Sequence, residues 1–284
     1  SAKNFKGHNM NAAIVGLGLM GGSLGLALKK VGIFENIFGY DHNLRHQKEA
    51  IELKLVDRLI DYEELKKCDA IFLAIPVQGI IKFLQEIDGI SENCMIVDLG
   101  STKDLITKSV PEKIRKNFVA THPMTGTEKF GPSAAIEGLY KNKVVVLCDL
   151  EKSGEEQKKL AIEVFEKIEM NLIFMDSASH DIHACFMSHL PHAISFALAN
   201  TVMEQEDPKA IVGLAAGGFR DMSRVAKSSP NMWCDIFKQN KKNLLNSLEL
   251  YEKNIKKIQN LLENDDFEGI NEWMKKANTL HEIL

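Results

Sequence analysis

The sequence predicts an α/β protein: an N-terminal Rossmann-type, doubly wound parallel sheet over residues 1–176, then an all-helical domain over 177–284. Three observations predict this. Strand-like apolar runs alternate with helical segments up to about residue 176, a glycine-rich turn joins the first run to the first helix, and beyond Asp176 only helical periodicity remains. A chain of 284 residues is long enough for two domains, and 45% hydrophobic with 26% charged residues is ordinary globular composition.

The elements follow in order. Ala12-Ala13-Ile14-Val15 has the composition of a buried parallel strand and runs directly into Gly16-Leu17-Gly18-Leu19-Met20-Gly21. In that pattern Gly16 permits the tight turn and Gly18 lets a pyrophosphate approach the backbone. Gly21 lets the next helix pack close to the strand, and the N–H groups around Leu19 and Met20 can receive phosphate. The helix runs from Met20 to about Lys30 and Gly32 stops it. A second strand, Asn36 to Tyr40, ends on Asp41, about twenty residues past the fingerprint, where an acid hydrogen-bonds a ribose 2′-hydroxyl. This favours NAD over NADP, although Arg45 is near enough to accommodate a 2′-phosphate in another arrangement.

Ala70 to Ile75 is a strand closed by Pro76, with a helix following through Leu84. Met95 to Asp98 is a strand, then Gly100-Ser101-Thr102-Lys103 leads into an amphipathic helix from Asp104 to Lys116. Phe118 to Thr121 is strand-like, Ala134 to Tyr140 helix-like, Val144 to Leu147 a strand, Glu155 to Lys167 a helix, and Leu172 to Met175 a strand. Asp176-Ser177 caps a long helix through the 190s that Pro191 should kink. Asn231 to Leu262 and Asp265 to His281 are helical, with apolar positions such as Leu244, Leu248, Ile255 and Leu262. Helices this long have too little of their own half to bury against, which predicts a homodimer through the helical domain.

Bulk properties exclude several classes. A net charge of −4 offers no basic field for nucleic acid. No apolar run reaches the eighteen or so residues of a membrane span, and no signal-peptide pattern opens the chain. The five cysteines lack CxxC spacing and read as reduced core residues of a cytoplasmic protein. Met10 stands just before the first strand, so residues 1–9 read as a tag or disordered leader.

Two polar groups are candidate chemistry. The run Ala120 to Gly131 ends a strand on His122 inside the loop Pro123-Met124-Thr125-Gly126-Thr127-Glu128, and sheet carboxyl ends are where ligands bind. Ser101 falls at another carboxyl end, where it can also serve as a helix N-cap. In the helical half, Ser188-His189-Leu190-Pro191-His192 and Gly217-Gly218-Phe219-Arg220-Asp221-Met222-Ser223-Arg224 precede Trp233. Arginine beside glycine-rich backbone suits bidentate carboxylate binding, although Arg220 and Arg224 could equally pair with Asp221 on a helix face. The histidines at 180, 183, 189 and 192 lack cysteine partners or HExxH spacing, so no metal site is expected.

Together these motifs resemble the prephenate/arogenate dehydrogenase family over nearly the whole chain: Gly16 to Ser23, Asp98 to Lys103, His122 to Glu128, Ser188 to His192, and Gly217 to Trp233. The resemblance implies an NAD-binding Rossmann domain, a helical dimerisation domain and a site between them. By position it makes His122 the catalytic histidine on the substrate's ring hydroxyl and Ser101 the serine that helps orient it. His189, Arg224 and Trp233 become substrate-binding, with Glu128, Asp221 and Thr127 shaping or gating the pocket. The implied reaction is NAD-dependent oxidative decarboxylation of prephenate to 4-hydroxyphenylpyruvate in tyrosine biosynthesis, with arogenate oxidation the alternative. No mutase segment or regulatory domain is expected, so tyrosine inhibition would act at the active site itself. The fingerprint also resembles the β-hydroxyacid dehydrogenases, but residues 185–200 lack the lysine those enzymes use. A non-catalytic NAD-binding regulator would bind NAD and reduce none.

Overall fold

The computed structural model describes residues 9–284. The expectation of a tag or leader at residues 1–9 therefore lies, save for Asn9, outside the described residues. Eight strands form one sheet in the order β3-β2-β1-β4-β5-β6-β7-β8. They are β1 Asn11–Val15, β2 Asn36–Tyr40, β3 Arg58–Leu59, β4 Ala70–Leu73, β5 Met95–Asp98, β6 Phe118–Pro123, β7 Val144–Cys148 and β8 Asn171–Met175.

Alternate residues of the central strands serve opposite faces, as the two-residue period requires. Ala12, Ile14, Phe72, Val97 and Val119 pack on one face, under α1 (Leu19–Val31) and α6 (Glu155–Lys167). Ala13, Val15, Ile71, Ile96 and Phe118 pack on the other, under α4 (Val77–Glu86) and α5 (Asp104–Ser109). The strand order reverses direction between β1 and β4, and that switch point opens a crevice at their carboxyl ends.

The sheet is parallel except at one place: β7 runs antiparallel to β6, pairing Ala120 with Cys148 and His122 with Val146. The expected all-parallel order fails there because no helix crosses over between the two strands. The segment Ala134 to Tyr140, expected to be helix-like, holds only the end of a 3-10 turn, Pro132–Ala134. Gly138 and Asn142 take left-handed backbone (φ 77° and 59°), and the loop is pinned onto α1 instead. The Tyr140 hydroxyl donates to the Met20 carbonyl at 2.6 Å, and the Ile136 N–H donates to Ser23 Oγ at 2.9 Å.

Elsewhere α5 ends at Ser109 rather than Lys116, because Pro111 follows and a separate 3-10 turn takes over. Gly32 ends α1 in left-handed geometry (φ 65°), its N–H on the Leu28 carbonyl. The short elements α2 (Leu44–Glu52), α3 (Tyr62–Leu65) and β3 complete the first half.

Asp176 caps α7 (Ser177–Ala184) through the Ser179 N–H. The helix then passes through a π-helical turn, Cys185–His189, before α8 (Leu190–Met203). The expected distortion at Pro191 thus takes the form of a widened turn just before it. Two short helices, α9 (Pro208–Gly213) and α10 (Gly217–Ser223), precede α11 (Pro230–Gln239), α12 (Lys241–Glu263) and α13 (Phe267–Asn278). A break at Asn240 divides what periodicity alone reads as one helix. Only Leu244 and Ser247 of α12 are buried, and α13 buries none of its residues. Leu245, Leu262 and Phe267 stand more than half exposed, and Leu250 nearly so.

Candidate active site

The glycine turn comes first along the chain. Gly16 has φ 91°, and a Cβ there would stand 2.3 Å from the Ala74 carbonyl oxygen. One at Gly21 would meet the Gly16 oxygen at 1.8 Å. These two glycines are demanded by the protein's own packing. Gly18 differs, since a Cβ there meets nothing nearer than the Gly131 nitrogen at 3.9 Å. It is also the N-cap of α1, which has no side-chain cap, so the N–H groups at Leu19 and Met20 border open space. An open cradle at an uncapped helix N-terminus fits a pyrophosphate.

Asp41 follows β2 beside this turn and accepts the Leu17 N–H at 2.8 Å through Oδ2 and the Asn43 N–H at 2.8 Å through Oδ1. Its carboxylate is thereby fixed at the edge of the crevice, with His46 Nδ1 3.6 Å away. Arg45 does not approach this spot. It is largely exposed and pairs with Glu49 at 2.9 Å rather than with Asp41.

At the carboxyl end of β6, His122 is partly buried. Its Nδ1 lies 2.8 Å from His180 Nε2, on α7, and His180 Nδ1 lies 2.8 Å from Asp181 Oδ1. Desolvation holds the His122 pKa well below the ordinary histidine value, with His180, Lys103 and His189 adding repulsion in that order. The imidazole is therefore neutral at working pH. Beneath it, the fully buried Lys103 ammonium contacts the Asp98 carboxylate and donates to the Thr121 carbonyl at 2.5 Å, anchoring the strand end one residue before His122. Burial raises the Asp98 pKa and the Lys103 contact opposes that rise.

Ser101 lies partly buried in the turn between β5 and α5, but it does not cap the helix. The N–H groups of Lys103 and Asp104 are taken instead by Asp181 Oδ1 and Oδ2, at 2.8 and 3.1 Å. A carboxylate from the second half thus does the capping expected of the serine, which leaves the Ser101 hydroxyl available to a ligand.

The opposite wall comes from the helical half. His189, at the end of the π turn, is buried, and Asn240 Nδ2 sits 3.1 Å from its Nδ1. An amide NH₂ only donates, so His189 carries its own proton on Nε2. Burial pulls its pKa down to about 4. Trp233 is buried between the two histidines, stacked on His192 at 3.5 Å and edge-on to His189 at 6.1 Å. Its Nε1 is a buried donor with no acceptor among the described residues. Arg224 is exposed and near enough to His192 to depress that imidazole's pKa, after desolvation. The alternative pairing of Arg220 and Arg224 with Asp221 does not occur among the described residues: Arg220 Nε donates to the Ala215 carbonyl at 3.2 Å.

Glu128 bridges the halves by pairing with Lys227 at 3.2 Å; its own backbone N–H first, and that lysine second, lower its pKa. Thr127 is exposed, and its Oγ1 accepts the Lys129 N–H at 3.1 Å, shaping the loop. His122 and His189 are thus brought to one interface, with Arg224 exposed beside His192 and Glu128 exposed on the facing loop, while Asp221 is exposed and makes no hydrogen bond or ion pair with them. Sequence reasoning overlooked Asp181 and Asn240, gave Asp98 and Lys103 no role beyond the motif they bound, and treated His180 only as a metal question. The one available signal was the adjacent His180-Asp181 pair in the first turns of a capped helix. No cluster of three or more His, Cys, Asp or Glu able to hold a metal exists among the described residues.

Comparison with known proteins decides the family. A family model described as "Prephenate dehydrogenase, nucleotide-binding domain" matches residues 24–174, and one described as "Prephenate dehydrogenase, dimerization domain" matches residues 176–276. The chain belongs to the prephenate dehydrogenase family. It is therefore an oxidoreductase with a nucleotide-binding domain. The prephenate dehydrogenase of Bacillus subtilis (strain 168) is 31% identical over 278 residues, 95% of this chain and 75% of that protein. The crystal structure of prephenate dehydrogenase from A. aeolicus, in complex with hydroxyphenyl propionate and NAD+, superposes with TM-score 0.88 at 31% identity, covering 96% and 97% of the two chains. Synechocystis arogenate dehydrogenase gives TM-score 0.80 at 28% identity, covering 96% and 99%. No helix among the described residues is long and apolar enough to cross a membrane.

Proposed function

We propose that this protein catalyses the NAD-dependent oxidative decarboxylation of prephenate to 4-hydroxyphenylpyruvate in the cytoplasm, working as a homodimer. The half up to residue 176 holds the cofactor, and the half from 177 holds the substrate and the partner. One observation carries the reading: a neutral, desolvated His122 stands at a sheet carboxyl end between an open glycine cradle and a wall made by His189 and Trp233.

Gly16, Gly18, Leu19, Met20 and Gly21 would hold the pyrophosphate of NAD, with Asp41 on the adenosine ribose. When bound, the nicotinamide supplies the acceptor for the hydride from the carbinol carbon of prephenate. The protein handles everything else. His122 takes the hydroxyl proton as the C–H bond breaks, which requires an uncharged imidazole, and its lowered pKa keeps it so. Ser101 orients the same hydroxyl. Arg224 forms a bidentate pair with a substrate carboxylate, and His189 donates its Nε2 proton to an oxygen nearby. Oxidation makes a ketone conjugated to the ring carbon bearing the carboxylate, so carbon dioxide leaves and the ring aromatises without a metal or a covalent intermediate. Glu128, Thr127 and Asp221 line the mouth, where the Glu128–Lys227 pair closes the loop onto the helical half. A pocket built for a 4-hydroxylated ring also fits tyrosine, which would inhibit by occupying it.

The test is NADH formation from NAD and prephenate with purified protein, run beside arogenate and NADP. Reduction with prephenate and NAD, with 4-hydroxyphenylpyruvate recovered, is expected. Reduction with arogenate alone would change the substrate, and silence with both would overturn the reading.

A further inference from the structure

We propose that His180 and Asp181 form, with His122, a hydrogen-bonded relay across the two halves that fixes which nitrogen of His122 is the base. This rests on the role given to His122 above.

Proton bookkeeping makes the case. Asp181 accepts the Lys103 N–H on Oδ1 and the Asp104 N–H on Oδ2. With both oxygens facing donors, the group is an acceptor, so the contact at 2.8 Å to His180 Nδ1 requires the proton to sit on that nitrogen. A neutral imidazole carries one N–H, so His180 Nε2 presents a lone pair. That lone pair lies 2.8 Å from His122 Nδ1, which must then be the donor. His122 is left with a lone pair on Nε2 alone. The opposite order would set a lone pair of His180 against the Asp181 carboxylate.

Both relay side chains are buried, at 2% and 4% exposure, so water cannot substitute for either partner. The Asp181 main chain is held as well, since Asn240 Nδ2 donates to its carbonyl at 2.8 Å. Asn240 also contacts His189 Nδ1, so one amide braces the relay and the substrate wall together.

The relay also serves the proton once it has arrived. As the substrate O–H bond breaks, an N–H bond forms at His122 Nε2. The Nδ1 proton of His122 can then pass to His180 Nε2, leaving His122 neutral and placing the imidazolium against the Asp181 carboxylate. One proton crosses the His122–His180 hydrogen bond, the His180–Asp181 hydrogen bond keeps its proton where it was, and no electrons change hands. His180 and Asp181 are positioning residues, since neither touches the substrate.

The experiment uses the full-length protein and two readouts. Asp181→Ala removes the acceptor that holds the proton on His180 Nδ1, so neither tautomer is fixed and His122 Nε2 is free to carry the proton. Turnover should fall by roughly 10³- to 10⁴-fold, the size of losing the aspartate of a hydrolase triad, with NAD affinity and the prephenate KM nearly unchanged. Long-range ¹H–¹⁵N spectra, assigned with His122→Asn, should show His122 Nε2 as a bare ring nitrogen in the native protein and as partly protonated in Asp181→Ala. Because Asp181 also caps α5, a second pair guards against misfolding. His180→Gln keeps an acceptor oxygen where Nε2 stood and should retain turnover within about tenfold, whereas His180→Leu should lose 10²-fold or more. Equal turnover in His180→Gln and His180→Leu, or a protonated Nε2 on native His122, would overturn the relay. The spectra need no substrate, so they decide the relay even if prephenate proves not to be oxidised.

Discussion

Replacing Gly18 by alanine separates the cofactor site from the packing of the fold, because the three fingerprint glycines are glycines for different reasons. The added methyl at Gly18 would meet no protein atom nearer than 3.9 Å, and the backbone there, φ −79° and ψ −156°, is open to any residue. Losing glycine at an N-cap costs a few tenths of a kcal/mol to about 1, and stiffening the unfolded chain returns about 0.4–1. Stability should therefore change by less than about 1 kcal/mol. The methyl nevertheless stands where phosphate must approach the N–H groups of Leu19 and Met20. Spoiling one charge-assisted hydrogen bond costs about 1.5–3 kcal/mol, which is roughly a 10- to 150-fold weaker NAD affinity. At Gly21 the same change drives a methyl to 1.8 Å from a backbone oxygen that cannot turn aside. There α1 must lift from β1 at a cost of about 1–3 kcal/mol or more, only partly offset by alanine's better helix propensity of about 1. Calorimetric titration with NAD and thermal melts read the two effects. Gly18→Ala should melt like the native protein and bind weakly, and Gly21→Ala should melt several degrees lower. Native affinity in Gly18→Ala would show that the cofactor does not cross this turn.

Other expectations follow from the site. His122→Asn removes the proposed base and should lower turnover by roughly two to four orders of magnitude with little change in NAD affinity, measured by steady-state kinetics and titration. Since the native His122 pKa is depressed, kcat/KM should hold as pH drops past the ordinary histidine value and fall only on further acidification, when the base becomes protonated. A profile breaking at or above about 6.5 would contradict the desolvated base. Arg224→Ala removes the proposed partner of a substrate carboxylate and should chiefly raise the prephenate KM, by roughly 10- to 100-fold; an unchanged KM would remove the role. Finally, His189 has a folded pKa of about 4 against 6.5, so the unfolded chain binds its proton first as pH falls. Its contribution against folding is absent above about pH 7 and grows to roughly 3 kcal/mol by pH 4. His189→Gln should flatten that part of the acid-denaturation curve, and an unaltered curve would refute the assignment.

What sequence makes legible here is whatever depends on neighbours along the chain. β1, α1, β2 and Asp41 were readable because the fingerprint, the glycine stop and the acid lie within one supersecondary unit. The helix α6, Glu155–Lys167, was readable in full because a glycine precedes it and its apolar period is unbroken. The antiparallel β7 was not, because direction depends on whether the linking segment crosses the sheet. That segment's apolar residues imitate a helix while its Ile136 N–H and Tyr140 hydroxyl are committed to α1. Ser101 illustrates the same limit: its position invites capping, yet the actual cap arrives from Asp181, far along the chain. Local spacing carries no trace of such a partner.

The bonds that sequence could not show are the ones that make a site from two halves. Thr102 donates to Gln239 Oε1 at 2.8 Å, Lys103 and Asp104 cap onto Asp181, His122 meets His180, and Glu128 meets Lys227. These contacts involve the carboxyl ends of β5 and β6 and the loop after β6, on the same edge of the sheet as the crevice between β1 and β4. A nucleotide-binding sheet by itself offers a generic hydride acceptor site. Selectivity for one donor requires that the base, the carboxylate anchors and the nicotinamide be held at fixed separation, and a dry, braced interface does this better than a single flexible loop. The buried Lys103–Asp98 pair fits the same logic. Apolar side chains of similar volume would often stabilise such a spot as well, but they would not grip the Thr121 carbonyl and so hold the end of β6, from which His122 projects, against the half that carries His180.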